Sequence, residues 1–226
     1  MIEKNEISEI PGFFTNPILP GFYPDPSICR AGDDYYLVTS SFAYFPGIPI
    51  FQSRDLVHWK QIAHVLDRPS QLDLDGVEQS QGIFAPTIRY HDGMFYVITT
   101  NITKGGNFIV RAANPAGPWS EPSWIEDASG IDPSLFFDDD GRAYYVGTFE
   151  VPEGPKYYGD NEIWLREIDL EAMALTGERY GLWRGALKNA IWAEGPHIYK
   201  INGFYYLMIA EGGTGHFHSI TIARSK

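Results

Sequence analysis

The chain has 226 residues, 44% of them hydrophobic, which is enough for one domain with a sizeable core. Its formal net charge of −12 makes nucleic acids, anionic membranes and acidic substrates poor partners, so a neutral ligand is expected. The single cysteine, Cys29, excludes an internal disulfide, and no apolar run reaches the ~18 residues of a membrane span. Because the chain does not start with a secretory signal, a cytoplasmic protein is the default expectation; a secreted protein without its leader is the alternative. The composition indicates no oligomeric state.

Residues 1–15 are predicted to form an N-terminal extension, and residues 16–226 a single all-β domain. From Asn16 onward, turn residues alternate with apolar, β-branched or aromatic runs. Asp-Gly and Asn-Gly turns between such runs are typical of β-hairpins. Four hairpins are predicted, with turns at 31–34, 91–93, 138–141 and 201–203.

The four predicted hairpins belong to four copies of one sequence pattern. Each copy has a proline, a small or polar residue, an aliphatic residue, a turn and an aromatic-rich apolar run. The copies begin at Asp25, Ala85, Asp132 and Glu194. Self-similarity at intervals of this size is typical of a β-propeller or a similar array.

A second recurring unit follows each of the first three copies and is predicted to supply the outer strands of a four-stranded blade. These units cover residues 53–66, 110–125 and 161–177, although 169–175 could instead be a short helical turn. After the fourth copy only one further strand is predicted, at 218–226. A propeller closes on itself to hide its edges, so we expect about three and a half blades here and a chain truncated at its C-terminus. An alternative closure remains open.

Three of the four copies begin at a carboxylate. Asp25, Asp132 and Glu194 lie in apolar, aromatic and proline-rich surroundings, and equivalent points of successive blades should converge near the propeller axis. Burial raises the pKa of a carboxyl group, and neighbouring carboxylates push their pKa values apart. Two such acids suit glycoside hydrolysis. The competing interpretation is that each Asp-Pro-Ser caps a turn through an Asx hydrogen bond.

This series of motifs resembles the catalytic propeller of glycoside hydrolase family 43, the β-xylosidase and α-L-arabinofuranosidase group. The resemblance runs from about Asn16 to the C-terminus, through NPILPGFYPDPSICRAGDDYYLVTSSF, SRDLVHWKQIAHVL, APTIRYHDGMFYVITTN, AEGPHIYK and AEGGTGHFHSITIARS. It implies a five-bladed propeller and an inverting hydrolase acting on oligosaccharides of the xylan or arabinoxylan type. An exo-acting β-xylosidase is the first expectation and an α-L-arabinofuranosidase the second. A non-catalytic carbohydrate-binding propeller or an inactive fragment is the remaining alternative.

The same resemblance implies roles for individual residues. Asp25 resembles the general base that activates water, and Glu194 the general acid that protonates the departing sugar oxygen. Asp132 is similar to a third acid that stays ionised, positions Glu194 and adjusts its pKa.

Three other residues resemble parts of the family's substrate pocket. Phe42 is similar to an aromatic wall beside the sugar, and His218 to a histidine near the site. Phe84 stands where many members have tryptophan, and it occupies the position of Glu194 in its own repeat, so it is expected to face the funnel. For Arg89, an outward-facing strand residue is favoured over one that reaches the site.

No cofactor is expected to be required. The acidic run 138–140 lacks the ligand spacing of an EF-hand, so a solvated hairpin turn is expected. His216 and His218 alternate on a strand without an evident third ligand, which disfavours zinc. The family resemblance allows a calcium ion on the propeller axis, but no residue of the chain is assigned to it.

Overall fold

All the regular secondary structure of residues 13–226, the part of the chain that this computed structural model describes, is β-strand. There is no helix in this range, and therefore none long and apolar enough to cross a membrane. The predicted N-terminal extension, residues 1–15, lies outside the described residues except for its last three.

Fifteen strands form four antiparallel sheets, here called blades I to IV in chain order. Blade I contains β1 (Ser27–Ala31), β2 (Asp34–Val38), β3 (Gly47–Ser53) and β4 (Lys60–Leu66). Blade II contains β5 (Thr87–His91), β6 (Met94–Asn101), β7 (Gly106–Ala112) and β8 (Ser123–Trp124). Blade III contains β9 (Ile131–Phe137), β10 (Ala143–Glu150), β11 (Asn161–Asp169) and β12 (Ala174–Trp183). Blade IV contains β13 (Glu194–Ile201), β14 (Phe204–Glu211) and β15 (Ser219–Ser225).

Each blade is a meander in which strands adjacent in sequence pair with each other. The turns follow the predicted chemistry: Asp92-Gly93 and Asn202-Gly203 link paired strands, and all four residues have positive φ. Two-residue turns of this kind require φ > 0 at both positions, which Gly and Asn or Asp adopt most easily. The predicted inner hairpins and outer strand pairs are confirmed. The helical alternative at 169–175 is wrong, because residues 170–173 form the turn between β11 and β12.

The hydrophobic core lies between neighbouring blades. Val38, Ile50 and Ile88 are fully buried in the cluster between blades I and II, and equivalent clusters fill the other two interfaces. The first strands of successive blades, β1, β5, β9 and β13, lie next to one another. The four-blade, propeller-like arrangement therefore brings the starts of the four sequence repeats together.

Candidate active site

The three acids singled out in the sequence line a single cavity of about 230 Å3. Asp25 lies two residues before β1, Asp132 is the second residue of β9, and Glu194 is the first residue of β13. The three side chains thus come from three blades and from the same end of each inner strand. Pro26, Ala85 and Pro86 of the repeats also line this cavity.

Two of these acids have a strained backbone. Asp25 has a φ of 55° and Asp132 a φ of 52°, in the left-handed region that residues other than glycine seldom adopt. Each also precedes a proline, which normally favours extended backbone. A conformation of this kind costs on the order of 1–3 kcal/mol and occurs preferentially at functional sites, where the surrounding structure enforces it.

Asp25 is held by the strand behind it. The Ser40 hydroxyl donates a hydrogen bond to Asp25 Oδ2 at 2.5 Å, and the Ser40 backbone amide donates to the Pro24 carbonyl at 3.1 Å. The Asx-turn alternative is not observed: within residues 13–226, neither Asp25 nor Asp132 accepts a hydrogen bond from the serine two positions further on. Sequence reasoning missed Ser40, because nothing local marks one serine of the TSS run as the partner of a distant aspartate.

The electrostatics of the cavity raise the pKa of two of its acids. Burial, followed by the charges of Glu194 and Asp25, raises the pKa of Asp132 to about 8, against a hydrogen bond from the Gly195 amide. Burial raises the pKa of Glu194 to about 7; His218 opposes this rise and Asp25 adds to it. The expectation that Asp132 stays ionised therefore differs from the result. Two close carboxyl groups in a low-dielectric cavity titrate as a pair, and near neutral pH this pair retains a proton.

His218 lines the same cavity. Its Nδ1 lies 2.7 Å from the Gly213 carbonyl oxygen. A carbonyl only accepts hydrogen bonds, so the proton of the neutral ring is on Nδ1 and Nε2 is free to accept. Thr214, one residue after Gly213, also lines the cavity and was not singled out in the sequence.

Phe42 and Phe84 form an aromatic row beside the cavity. Their ring centroids are 5.7 Å apart, and Phe22 extends the row with its centroid 6.0 Å from that of Phe42. Backbone hydrogen bonds in both directions between Phe42 and Ile83 fix the row to the start of the second repeat. Phe42 and Phe84 do not line the cavity itself; Ala85, the neighbour of Phe84, does.

The expectation for Arg89 is wrong. Its guanidinium group is turned toward blades III and IV, where it lies 2.8 Å from His197 Nδ1. His197 lines the cavity and was also missed by sequence reasoning. The two residues lie 108 positions apart, so no local pattern could have paired them.

The acidic turn at 138–140 is only partly the solvated turn that was predicted. The side chain of Asp139 is 81% exposed, whereas that of Asp138 is 10% exposed and contacts Lys200 and Tyr205 of blade IV. Within residues 13–226, no three His, Cys, Asp or Glu side chains are placed to hold a metal ion. No reaction step below depends on an axial calcium ion.

A larger cavity, of about 620 Å3, lies between blades III and IV. Its wall is mainly apolar and includes Phe136, Leu165, Ile198 and Leu207, and it contains none of the three acids. Size alone would favour this cavity as the binding site. The convergence of perturbed titratable groups favours the smaller one.

Comparison with known proteins agrees with this architecture. Residues 14–226 match the family model described as glycosyl hydrolases family 43. The chain therefore belongs to glycoside hydrolase family 43. It is 63% identical over 213 residues to a xylosidase/arabinosidase of Butyrivibrio fibrisolvens, covering 93% of this chain and 41% of the relative. It is 47% identical over 222 residues to a non-reducing end alpha-L-arabinofuranosidase of Bacteroides ovatus, covering 94% of this chain and 39% of the relative.

Solved structures show the same similarity. A family 43 subfamily 12 protein from a capybara gut metagenome superimposes with a TM-score of 0.89 at 48% identity, over 98% of this chain and 44% of that one. A xylan beta-1,4-xylosidase of Bacillus halodurans superimposes with a TM-score of 0.85 at 45% identity, over 93% of this chain and 41% of that one. The chain thus spans about 40% of the length of the relatives that it matches.

Proposed function

We propose that the protein carrying this chain is an inverting glycosidase that releases single pentose units from neutral oligosaccharides of the xylan or arabinoxylan type. The observation that supports this most directly is the meeting of Asp25, Asp132 and Glu194, from three blades, in one cavity. Relatives named as xylosidases and arabinosidases cover more than nine-tenths of the chain. We also propose that the complete propeller has five blades and that this chain contributes about three and a half of them.

The three acids divide the chemistry between them. Glu194, whose pKa is raised to about 7, holds a proton near neutral pH and donates it to the departing sugar oxygen. Asp25, fixed by Ser40, accepts a proton from water on the opposite side of the sugar as that water attacks the anomeric carbon. Inverting enzymes keep these two carboxyl groups about 6.5–9.5 Å apart so that the water fits between them. Asp132 shares the titration of Glu194 and positions it.

The size of the cavity supports release of a single sugar. At about 230 Å3 it is smaller than the roughly 300–1,000 Å3 of pockets that enclose drug-sized ligands. A cavity of this size suits one sugar ring at the end of a chain better than several consecutive rings. The aromatic row of Phe22, Phe42 and Phe84 offers apolar surface beside it, as sugar rings require.

We propose β-xylosidase as the first activity and α-L-arabinofuranosidase as the second. Both are favoured because the relative from Butyrivibrio fibrisolvens, at 63% identity, is named a xylosidase/arabinosidase. Phe84 stands in place of the tryptophan of many family members, so an indole donor and some stacking surface are absent. The sugar preference of a relative with tryptophan therefore does not transfer directly to this chain. The xylose or arabinose preference is therefore a matter for measurement.

The test is hydrolysis of nitrophenyl β-D-xylopyranoside and nitrophenyl α-L-arabinofuranoside by the chain, by Glu194→Gln and by Glu171→Gln, an exposed turn residue that serves as the matched control. We expect turnover of at least one glycoside, loss of turnover in Glu194→Gln and no loss in Glu171→Gln. The first sugar released should have the anomeric configuration opposite to that of the substrate, as read by NMR. Equal turnover by the chain and by Glu194→Gln would overturn the proposal. If the chain gives no turnover, the assay is repeated on a protein extended through the proposed missing blade, and absence of turnover there would overturn the proposal. Sugar binding is measured for Asp25→Asn and Glu194→Gln as well. If these variants lose turnover but still bind the sugar, the loss lies in the chemical step and not in binding.

A further inference from the structure

One arginine side chain connects three blades close to the candidate active site. Arg89 extends from β5 of blade II, and its Nε donates a hydrogen bond to the Leu135 carbonyl of β9 at 3.1 Å. Its Nη2 donates to His197 Nδ1 of β13 at 2.8 Å, and its Nη1 donates to the Ile88 carbonyl at 3.0 Å. The guanidinium carbon also lies 5.6 Å from the ring centroid of Tyr199. Leu135 and His197 each lie three residues after an acid of the cavity, Asp132 and Glu194 respectively.

The arginine has only neutral partners. Within residues 13–226, no carboxylate lies within salt-bridge distance of its guanidinium group, and its contacts are two carbonyls, an imidazole and an aromatic ring. Burial lowers the pKa of Arg89, although a guanidinium group stays protonated in proteins. A partly buried cation without a counter-ion is costly to maintain, so a purely structural purpose would be met more cheaply by an apolar side chain.

The contact with Arg89 also determines the protonation of His197. A guanidinium group can only donate, so Nδ1 of His197 must be the unprotonated acceptor and the ring proton must be on Nε2. Burial and the adjacent Arg89 charge lower the pKa of His197 to about 3, so the ring stays neutral at ordinary pH. The other titratable groups around the arginine do not change this: Cys29 of β1 has its pKa raised to about 12 by burial and is a neutral thiol, and Tyr199 stacks near the His197 ring. The acids nearest along the chain are Asp132 and Glu194, which line the same cavity as His197.

We propose that Arg89 and His197 are positioning residues of the hydrolytic site, with Arg89 fixing β13 against β9, and hence Glu194 against Asp132, through a His197 ring locked as its neutral Nε2–H tautomer. This inference rests on the proposed function. Two acids that share a proton must be kept at a set distance, and the hydrogen bonds of Arg89 join their strands three residues after each acid. The Nε2–H of His197 has no protein partner among residues 13–226, which leaves it available to an oxygen within the cavity that it lines.

The first arm of the test is kinetic. Arg89→Met should lower kcat by up to about 100-fold with little change in KM, because a displacement of about 1 Å in a catalytic group costs that much. The loss should be larger for a poor leaving group than for an acidic phenol, since it is the proton donation by Glu194 that suffers. Arg89→Lys should recover part of kcat, because lysine restores a hydrogen-bond donor but not the several donors of the planar guanidinium group. Arg166→Met is the matched control: Arg166 also bonds a carbonyl, that of Gly177, but in the outer strands of blade III, and its loss should leave kcat unchanged.

The second arm does not depend on activity. Nitrogen-15 NMR of the histidine rings, with His197 assigned through His197→Asn, should show the Nε2–H tautomer and no titration between pH 5 and 8. In Arg89→Met the pKa of the same ring should rise toward the ordinary histidine value of ~6.5, but only part of the way, because burial, the larger cause of its lowering, remains. If Arg89→Met does not fold, Arg89→Lys carries both arms, and His197→Asn carries the kinetic arm.

The outcomes separate the two proposals. An active chain in which folded Arg89→Met keeps full kcat, or a wild-type His197 that is protonated on Nδ1 or titrates near neutral pH, would overturn the positioning role alone. Absence of glycosidase activity in a protein extended through the proposed missing blade would overturn the proposed function, and the positioning role with it, whatever the NMR shows. The NMR arm would still decide whether the Arg89–His197 contact exists.

Discussion

The two ends of the neighbouring strands β9 and β13 differ in how their charged side chains are paired. Two acids meet at one end, and an acid meets a lysine at the other. At the ends that face the cavity, Asp132 and Glu194 are both acids, and burial together with neighbouring carboxylates raises both pKa values. At the other ends, Lys200 Nζ lies 2.5 Å from Asp138 Oδ1 and the Tyr205 hydroxyl lies 2.7 Å from Asp138 Oδ2. Burial alone would raise the pKa of Asp138, but these two hydrogen bonds lower it below its ordinary value.

Strand β9 thus has one aspartate near its start whose charge is unfavourable and another just after its end whose charge is stabilised. Asp132 and Asp138 are the same residue type, six positions apart. The charge of Asp138 is favoured by a lysine and a tyrosine, whereas that of Asp132 is favoured by the Gly195 amide and opposed by two carboxylates. Between the two ends, Arg89 bonds to Leu135 and His197. Attractive contacts along the strand pair can therefore offset the repulsion at the end that faces the cavity.

The largest expected effect is on catalysis at the cavity end. Glu194→Gln should lower kcat/KM by about 10²–10⁴-fold on a glycoside with a poor leaving group, the usual contribution of general acid catalysis, and by less with an acidic phenol. Asp25→Asn should lower it by an amount that does not depend on the leaving group. A series of substituted phenyl glycosides measures both slopes. Equal losses across the series for Glu194→Gln would contradict its role as the acid, and a steep slope for Asp25→Asn would contradict its role as the base.

The second effect is a gain in stability with a loss of activity. The folded-state pKa of Asp132 is raised, so its contribution favours the folded state at low pH and is lost as the pH rises from about 4 toward 8. Asp132→Asn removes this pH-dependent loss. We expect it to stabilise the protein by about 1–3 kcal/mol at pH 8, allowing for partial exposure of the site, and by little at pH 4.

Urea unfolding of the wild type and of Asp132→Asn at both pH values measures this difference. A variant less stable than the wild type at pH 8 would show that the charge of Asp132 is well accommodated in the folded state. The comparison between the two ends of β9 would then lose its basis.

The third effect has the opposite sign and lies at the far end of β9. Asp138→Asn should destabilise the protein by about 1.5–3 kcal/mol at pH 7, because it replaces a charged acceptor that serves Lys200 and Tyr205. The folded-state pKa of Asp138 is lowered, so this stability is present above the unfolded pKa of ~3.9 and is lost as the pH falls through the folded value. Urea unfolding at pH 7 and pH 3 measures it, and kcat of the folded variant should change less than twofold. A large fall in kcat would mean that the two ends of the strand are not independent.

The sequence predicted those features that local chemistry determines. Asp-Gly and Asn-Gly turns predicted the inner hairpins, because few residues adopt their backbone conformation. The repeat placed Asp25, Asp132 and Glu194 at equivalent points, which is enough to predict that they converge, though not which of them keeps a proton. That depends on burial and on distances between blades, and Asp132 differs from its expectation for this reason.

The features that the sequence could not predict are pairings between distant blades. Arginine is usually exposed, so a strand arginine with no visible partner is assigned to the outside, and the partner of Arg89 lies 108 positions away. The run 138–140 reads as a solvated turn because nothing local distinguishes its first aspartate from the next two. Only the packing of blade IV against blade III brings Lys200, 62 positions further on, to Asp138.

The smallest expected effect is at Asp140, two residues from Asp138 in the same turn. Asp140 accepts hydrogen bonds from Arg142 at 2.6 and 2.8 Å, but both side chains are about half exposed and belong to a single hairpin. Water replaces such a contact easily, so Asp140→Asn should change Tm by less than about 2 °C at pH 7. Differential scanning calorimetry of Asp138→Asn and Asp140→Asn side by side makes the test, because the two variants remove the same charge from the same turn. If both variants lowered Tm by the same amount, the contribution of Asp138 to stability would come from the turn itself. The contacts of Asp138 with blade IV would then contribute nothing measurable to the stability of this end of the strand pair.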